Sequence, residues 1–331
     1  MEKQEWNQGR LLQLSGQYWA TCTLHAAVKL DVFTVIGEKQ LSGEDIAQKL
    51  NVSKEGAGRL FNALTAMNLL EKKDNKFSNT HAGKTFLSKD SPKYIGYIIN
   101  HHHHLVDSWS KLDQAVSTGE PVRARASHTS SKWRESFLMG MFNIGMSIAP
   151  LLADKIDLSK RHHMLDLGGG PGTYAIHFCM KNPGLKATVY DLPTTRPFAE
   201  KTIEKFGLTD GIDFMDGNYV EEGIKGVYDV AWLSHILHGE GQKDCQRIIE
   251  KTVSALEPGG MIIVHDFILN NTMDGPLFPA LFCLNMLLGT PAGQSYSEKQ
   301  ITDMLAKAGV KGIRRLSFKL PNDSGIISGV V

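Results

Sequence analysis

The spacing of apolar positions changes character along the chain, near residue 163. Before it, apolar residues recur every three or four positions, the period of an amphipathic helix. Leu12 to Ile36 carries Leu24, Ala27, Val28 and Val32 at that spacing and predicts a helix. Ser42 is placed to cap a short helix starting near Gly43, and Ser53 a second one, Glu55 to Met67, with Leu60, Ala63, Leu64 and Met67 on one face. Residues 69–78 read as two short strands around a polar Asp74-Asn75 turn. Helix, turn, helix and hairpin together spell a winged helix. Ser91 to Ala153 is again mostly helical, broken at Gly119-Glu120-Pro121 and by a polar stretch from Ala124 to Lys132.

From His163 on, apolar runs of strand length alternate with helical segments. They are Met164–Leu167, Ala187–Tyr190, Ile212–Met215, Val227–Leu233, Met261–Val264 and a final region from Gly312 to Val331. That alternation predicts a Rossmann-like α/β domain, a parallel sheet with helices on both faces. The expected division is a winged-helix domain over 1–110 and a catalytic domain over 111–331.

Composition narrows the partners. Thirty-six basic residues against thirty-five acidic leave a net charge of +1, without the basic excess that gripping nucleic acid requires. The reading helix of the winged motif offers only Lys54 and Arg59 to a phosphate backbone, so a dimerisation role is expected rather than DNA binding. Four scattered cysteines without a CxxC pair fit free thiols in a reducing cytoplasm. No signal peptide is evident at the N-terminus and no uninterrupted apolar stretch approaches a membrane span, so no membrane partner is expected.

The strand Met164–Leu167 runs into Asp166-Leu167-Gly168-Gly169-Gly170-Pro171-Gly172-Thr173. A dinucleotide fingerprint starting at Gly168 fails at its sixth position, which is Thr173, and a P-loop fails for want of lysine. Asp-x-Gly-x-Gly-x-Gly suits a ligand with no phosphate but with a charged amino-acid end. Asp191 closes the next strand, where a carboxylate can accept from both hydroxyls of a ribose. Further on, the strand ending at Leu233 leads into Ser234-His235-Ile236-Leu237-His238. A histidine there suits general-base work near neutral pH, and His235 and His238 compete for it. Asp266, ending the following strand, is placed to orient such a base.

These segments resemble the plant-type and bacterial O-methyltransferases of the caffeate and acetylserotonin group, over nearly the whole chain. The resemblance implies S-adenosylmethionine as cofactor, S-adenosylhomocysteine as product, and a homodimer formed through the N-terminal domain. It assigns Asp166, Gly168, Gly170 and Gly172 to the methionine end of the cofactor and Asp191 to its ribose, with Leu192 and Ser234 beside them. Asp216 and Asn218 would contact adenine, although the acid of Asp216-Gly217-Asn218-Tyr219 is displaced by one from the family's Gly-Asp-Met/Phe-Phe. The family's histidine falls on His238, but Gly239-Glu240 replaces the Asp-Trp that follows it. Asp266 matches the acid that braces that histidine. Asn285 and Met286 would line the acceptor pocket with Phe137, Met141, Phe142 and His235.

The expected reaction is methylation of a hydroxyl on a small, aromatic acceptor, with no metal. N- or C-methylation by proximity alone, or a winged-helix regulator without enzymatic activity, are the alternatives. His101-His102-His103-His104 cannot all face one ion, and a structural or pocket-lining role is expected for them.

Overall fold

The computed structural model describes residues 5–125, 131–318 and 320–331. Residues 126–130 of the polar stretch, and the first four of the polar N-terminus, lie outside the described residues. The chain divides into two compact units, one up to Leu105 and one from Val106, inside the helix Gly96–Trp109.

In the first unit the periodic run to Ile36 is three helices: Gln8–Gly16, Tyr18–Lys29 and Val32–Ile36. The last break falls at Asp31, whose φ of 66° is left-handed and cannot continue a right-handed helix. Three short strands, β1 (Leu41–Ser42), β2 (Leu70–Lys73) and β3 (Lys76–Asn79), form an antiparallel sheet in the order β1-β3-β2. Asp74 and Asn75 both take positive φ (49° and 58°), the geometry a two-residue hairpin needs to follow strand twist. Ser42 accepts from the N–H of Asp45 at 3.1 Å and Ser53 from that of Gly56 at 3.2 Å, capping Gly43–Leu50 and Lys54–Ala66. Phe33, Ile46, Phe61, Leu64 and Phe77 close the core. The helix Gln8–Gly16 buries none of its residues and, with the helix after it, exposes Leu11, Leu12, Leu14, Tyr18 and Trp19.

The second unit is a seven-stranded sheet: β4 (His163–Leu167), β5 (Lys186–Asp191), β6 (Ile212–Asp216), β7 (Tyr228–Ser234), β8 (Leu256–Asp266), β9 (Lys311–Arg315) and β10 (Gly325–Val330). Their order is β6-β5-β4-β7-β8-β10-β9. The strands β4 to β8 run parallel, but β10 is antiparallel to both β8 and β9. Among the described residues no helix lies between β9 and β10, and the chain turns back as a hairpin where a parallel partner would need a crossover.

Alternate residues of each central strand enter separate cores. Leu165, Leu167, Ala231 and Leu233 go to one, Met164, Val230 and Trp232 to the other. Burial on both faces explains why these strands read as unbroken apolar runs. The helix Ser131–Lys155 is long and apolar enough, by length and composition over residues 133–155, to cross a membrane, against the expectation of no such stretch. Here it packs on the helix Thr173–Lys181, with Ile148 and Leu152 in the core. Strand order reverses beside β4, since its chain neighbour β5 lies on one side and β7 on the other. The carboxyl ends of β4 and β7 therefore border the crevice where an open α/β sheet binds its ligand.

Candidate active site

At the end of β4 the chain makes its turn with Gly168, Gly170 and Gly172 at φ of 65°, 55° and 77°. Side chains rarely adopt that region, and a Cβ on Gly168 would also lie 2.5 Å from the Ile236 methyl. The loop is pinned to β5: Gly168 N–H donates to the Tyr190 carbonyl at 2.8 Å and Gly170 N–H to Asp191 Oδ2 at 2.8 Å. Asp191 Oδ1 accepts from the Leu192 N–H at 2.7 Å and the Thr195 hydroxyl at 3.1 Å. Burial nevertheless pushes the Asp191 carboxyl above its ordinary value. The loop thus turns as bare backbone packed against Ile236, Val189 and Asp166, where side chains would clash.

Asp166 has no exposed surface and lies beneath the loop, where a Cβ on Gly169 would collide with its carboxylate. One oxygen accepts a long 3.3 Å bond from the Ala175 N–H, and the other has no partner among the described residues. Burial pushes this carboxyl up to about 7, and the charge of Asp191 adds to the shift. It supports the loop from behind.

On the β6 side, Asp216 is exposed and pairs with Arg196, Nε at 3.1 Å and Nη2 at 2.8 Å. Asn218 Oδ1 accepts from the Val220 N–H at 3.0 Å and so shapes its own turn. Both stand at the strand end next to Asp191, paired across the register Asp191↔Asp216.

At the end of β7, His235 takes a φ of 57°, uncommon for a residue with a side chain, and reverses the chain into a single 3-10 turn, Leu237–Gly239. That turn aims His238 at the end of β8. His238 Nδ1 lies 2.7 Å from Asp266 Oδ1, and its backbone N–H donates to Oδ2 at 3.3 Å. The Phe267 N–H donates to Oδ1 at 2.8 Å. Burial alone would raise the Asp266 carboxyl, but His238 and His235 hold it far below the usual carboxylate range. A carboxylate can only accept, so Nδ1 of His238 is the nitrogen that donates to it.

His235 sits differently. Its Nδ1 is 3.5 Å from Asp266 Oδ1, too long for a hydrogen bond, and neither ring nitrogen has a partner among the described residues. Its ring packs against His265 and Phe267, each at 4.4 Å, and burial lowers its basicity. Of the two histidines, the carboxylate braces His238. The donor atoms of His235, His238 and Asp266 lie within 4.8 Å of one another, close enough for a divalent ion. Ser234, expected near the cofactor, is engaged with His265 Nδ1 at 2.9 Å, while His265 Nε2 meets the Ser324 hydroxyl at 2.8 Å. Burial holds the basicity of His265 well below the ordinary value, and the two serine contacts fix it as a brace within the sheet.

The sequence reading missed the rings around His238. Phe282 meets it edge-on at 4.7 Å, Phe267 lies 4.6 Å from Phe282, and Phe278 lies 4.9 Å from Phe267. Phe278 and Phe282 are one helical turn apart on Leu277–Gly289, and Asn285 continues their face. Met286, expected as a wall, is buried. Phe137, Met141 and Phe142 stand half-buried on Ser131–Lys155, one to two turns before Gly145, which packs against Thr173 at the end of the glycine loop.

Two arginines also escaped notice. Arg125 forks onto Glu240, at 2.6 and 3.1 Å, and onto the Gly239 carbonyl at 2.7 Å, fixing the residues that follow His238. Arg123 Nη2 donates to Asn285 through its carbonyl and its Oδ1, both at 2.9 Å. A buried acid in the unexpected Gly239-Glu240 pair was the signal that a cation stood opposite.

Comparison with known proteins agrees with this architecture. Residues 109–311 match an O-methyltransferase domain and residues 12–89 an O-methyltransferase dimerisation domain. The 3-hydroxy-5-methyl-1-naphthoate 3-O-methyltransferase of Streptomyces sahachiroi is 30% identical over 326 residues, 97% of this chain and 94% of that protein. The N,N-dimethyltransferase OxyT of Streptomyces rimosus is 26% identical over 269 residues, 77% of each chain. Among solved structures, human N-acetylserotonin methyltransferase in complex with SAM superposes with a TM-score of 0.86 at 24% identity, covering 100% of this chain and 99% of that one.

Proposed function

The chain belongs to the O-methyltransferase family and uses S-adenosylmethionine as methyl donor, and on that premise we propose that His238 takes the proton from a hydroxyl of a small aromatic acceptor undergoing O-methylation. When bound, the donor supplies an electrophilic methyl group on a sulfonium sulfur. The glycine loop fits it, because three positive-φ glycines leave backbone free of side chains at the strand end, and Asp191 at the rim is the group to hold its ribose. Asp216 and Asn218 would border the adenine.

The observation that carries the proposal is the 2.7 Å contact between His238 Nδ1 and a carboxylate held in its charged form. It fixes the tautomer, leaves Nε2 as base, and stabilises the imidazolium once the hydroxyl proton has moved to it. General-base help of this kind contributes roughly 10²–10⁴ in rate. Phe267, Phe278 and Phe282 give a flat acceptor ring a stacking surface beside that base. The test is transfer of labelled methyl from S-adenosylmethionine to matched naphthols and naphthylamines. O-methylated product is expected. Transfer to the amines alone would favour N-methylation, the reading that similarity to OxyT keeps in play.

The protein is further proposed to act as a homodimer. Its dimerisation domain carries a helix, Gln8–Gly16, with no buried residue and an apolar face of Leu11, Leu12 and Leu14. Light scattering that returned a monomer mass at micromolar concentration would overturn this.

A further inference from the structure

Resting on that reading, we propose that the acceptor carries a carboxylate or an equivalent anionic group beside the ring that is methylated, and that Arg123 is the residue that recognises it. Arg123 is partly buried, and among the described residues its guanidinium hydrogen-bonds only to the carbonyl and side-chain oxygens of Asn285, both neutral. Its Nε is buried without a partner, and no acidic group pairs with it among the described residues. Burial pulls this guanidinium down from its ordinary basicity with no charge acting to restore it. Arg125, two residues on, is the control within the same segment: Glu240 neutralises it and raises its basicity. A guanidinium stays protonated at any working pH, and among the described residues Arg123 meets no full negative charge, only the carbonyl end of the helix Leu277–Gly289, so it keeps the capacity to take an anion.

Its location ties this cation to the acceptor. Asn285 continues the helix face of Phe278 and Phe282, and Phe282 touches the His238 ring. From Phe282 to Asn285 the helix rises only about 4.5 Å. The backbone N–H groups of Val122 and Arg123 donate to the Leu288 carbonyl at 3.0 and 3.1 Å, fixing the segment against the same helix. Gly289 makes room for the guanidinium, since a Cβ there would lie 2.6 Å from Cζ. A built cationic position therefore stands about one helical turn beyond Phe282, the ring that touches the base. A guanidinium fork matches a carboxylate in two hydrogen bonds, which adds direction as well as attraction.

The test is calorimetric binding to the protein loaded with S-adenosylhomocysteine. The probes are one- and two-ring hydroxyaryl carboxylic acids, each beside its methyl ester. Because binding requires no turnover, the result separates from the methylation assay: acids that bind yet are not methylated would sink the proposed chemistry and leave this assignment standing. The expected result is at least one acid binding tenfold or more tighter than its ester, with the difference collapsing in Arg123→Gln and partly kept in Arg123→Lys. S-adenosylhomocysteine should bind both variants as it binds the wild type. Equal affinity for acids and esters in the wild type would overturn the proposal without recourse to any variant. A preference that survives Arg123→Gln would overturn it too. So would a parallel loss of S-adenosylhomocysteine affinity, which would give the cation to the carboxylate of the donor itself.

Discussion

Asp166 and Asp266 are both carboxyl groups shut away from water near the tips of parallel strands, and they are driven in opposite directions. Asp166 has one long bond from a backbone N–H and no cation nearby, and burial carries it up to about 7. Asp266 suffers the same burial, but two imidazoles and two backbone N–H groups hold its charge in place. Burial neutralises a carboxyl by default, and only a set of partners arranged around it keeps it ionised. The two ends of the crevice are built accordingly. One is a backbone cradle resting on a carboxyl near its neutral form, and the other is a side-chain dyad organised around a fixed negative charge.

The contrast breaks most easily at the cradle. Gly168→Ala forces a side chain into a left-handed backbone and toward Ile236, a cost on the order of 2–5 kcal/mol. Calorimetry should show S-adenosylhomocysteine binding weakened about a hundredfold or more, and near-normal affinity would mean the loop does not hold the donor.

The next effect tests the buried acid. The folded Asp166 titrates near 7 and an unfolded aspartate near about 3.9, so the folded state binds more protons between those values. Its contribution to stability therefore falls as pH rises from about 4 to about 7. Asp166→Asn should remove that fall and stabilise the protein at pH 8 by roughly a few kcal/mol in urea unfolding. Unchanged pH dependence between 4.5 and 8 would contradict the assignment. Asp266 works with the opposite sign. Its depressed value stabilises the fold above the unfolded pKa of about 4, and that contribution is lost only as the pH falls further.

Asp266→Asn should lower methyl transfer by about 10–100-fold, because an amide can still accept from Nδ1 but cannot balance an imidazolium. Donor affinity should not move; if it did, the two ends would not be separable. The smallest effect is expected at the wall. Phe282→Leu keeps the bulk but loses the ring contact with His238, worth about 0.5–1.5 kcal/mol, and should raise the acceptor KM about three- to tenfold with kcat nearly unchanged.

The same contrast explains what could be read from residues alone. The glycine loop, Asp191 and the strand ends were legible because a backbone that must turn with positive φ leaves glycines at fixed spacing. The Asp74-Asn75 turn of the wing was legible for the same reason. The full burial of Asp166 was not legible, because its type and position do not tell the front of a loop from the back. Phe267, Phe278 and Phe282 sit in apolar runs that look like core, and only the packing of Leu277–Gly289 on the end of β8 makes a wall of them. Arg123 and Arg125 stand in an irregular segment, and their partners lie more than a hundred residues away. The reversed β10 followed from the missing helix before it, a length argument that the final apolar region was too irregular to support.

The claim at the centre of this account is that His238 acts on the acceptor while the glycine loop holds the donor. His238→Ala, assayed at saturating donor with a phenolic acceptor and titrated in parallel with S-adenosylhomocysteine, tests it most directly. The account predicts a loss of at least a hundredfold in methyl transfer with the dissociation constant unchanged. A variant that keeps most of its rate would contradict it, and would leave positioning alone as the source of catalysis.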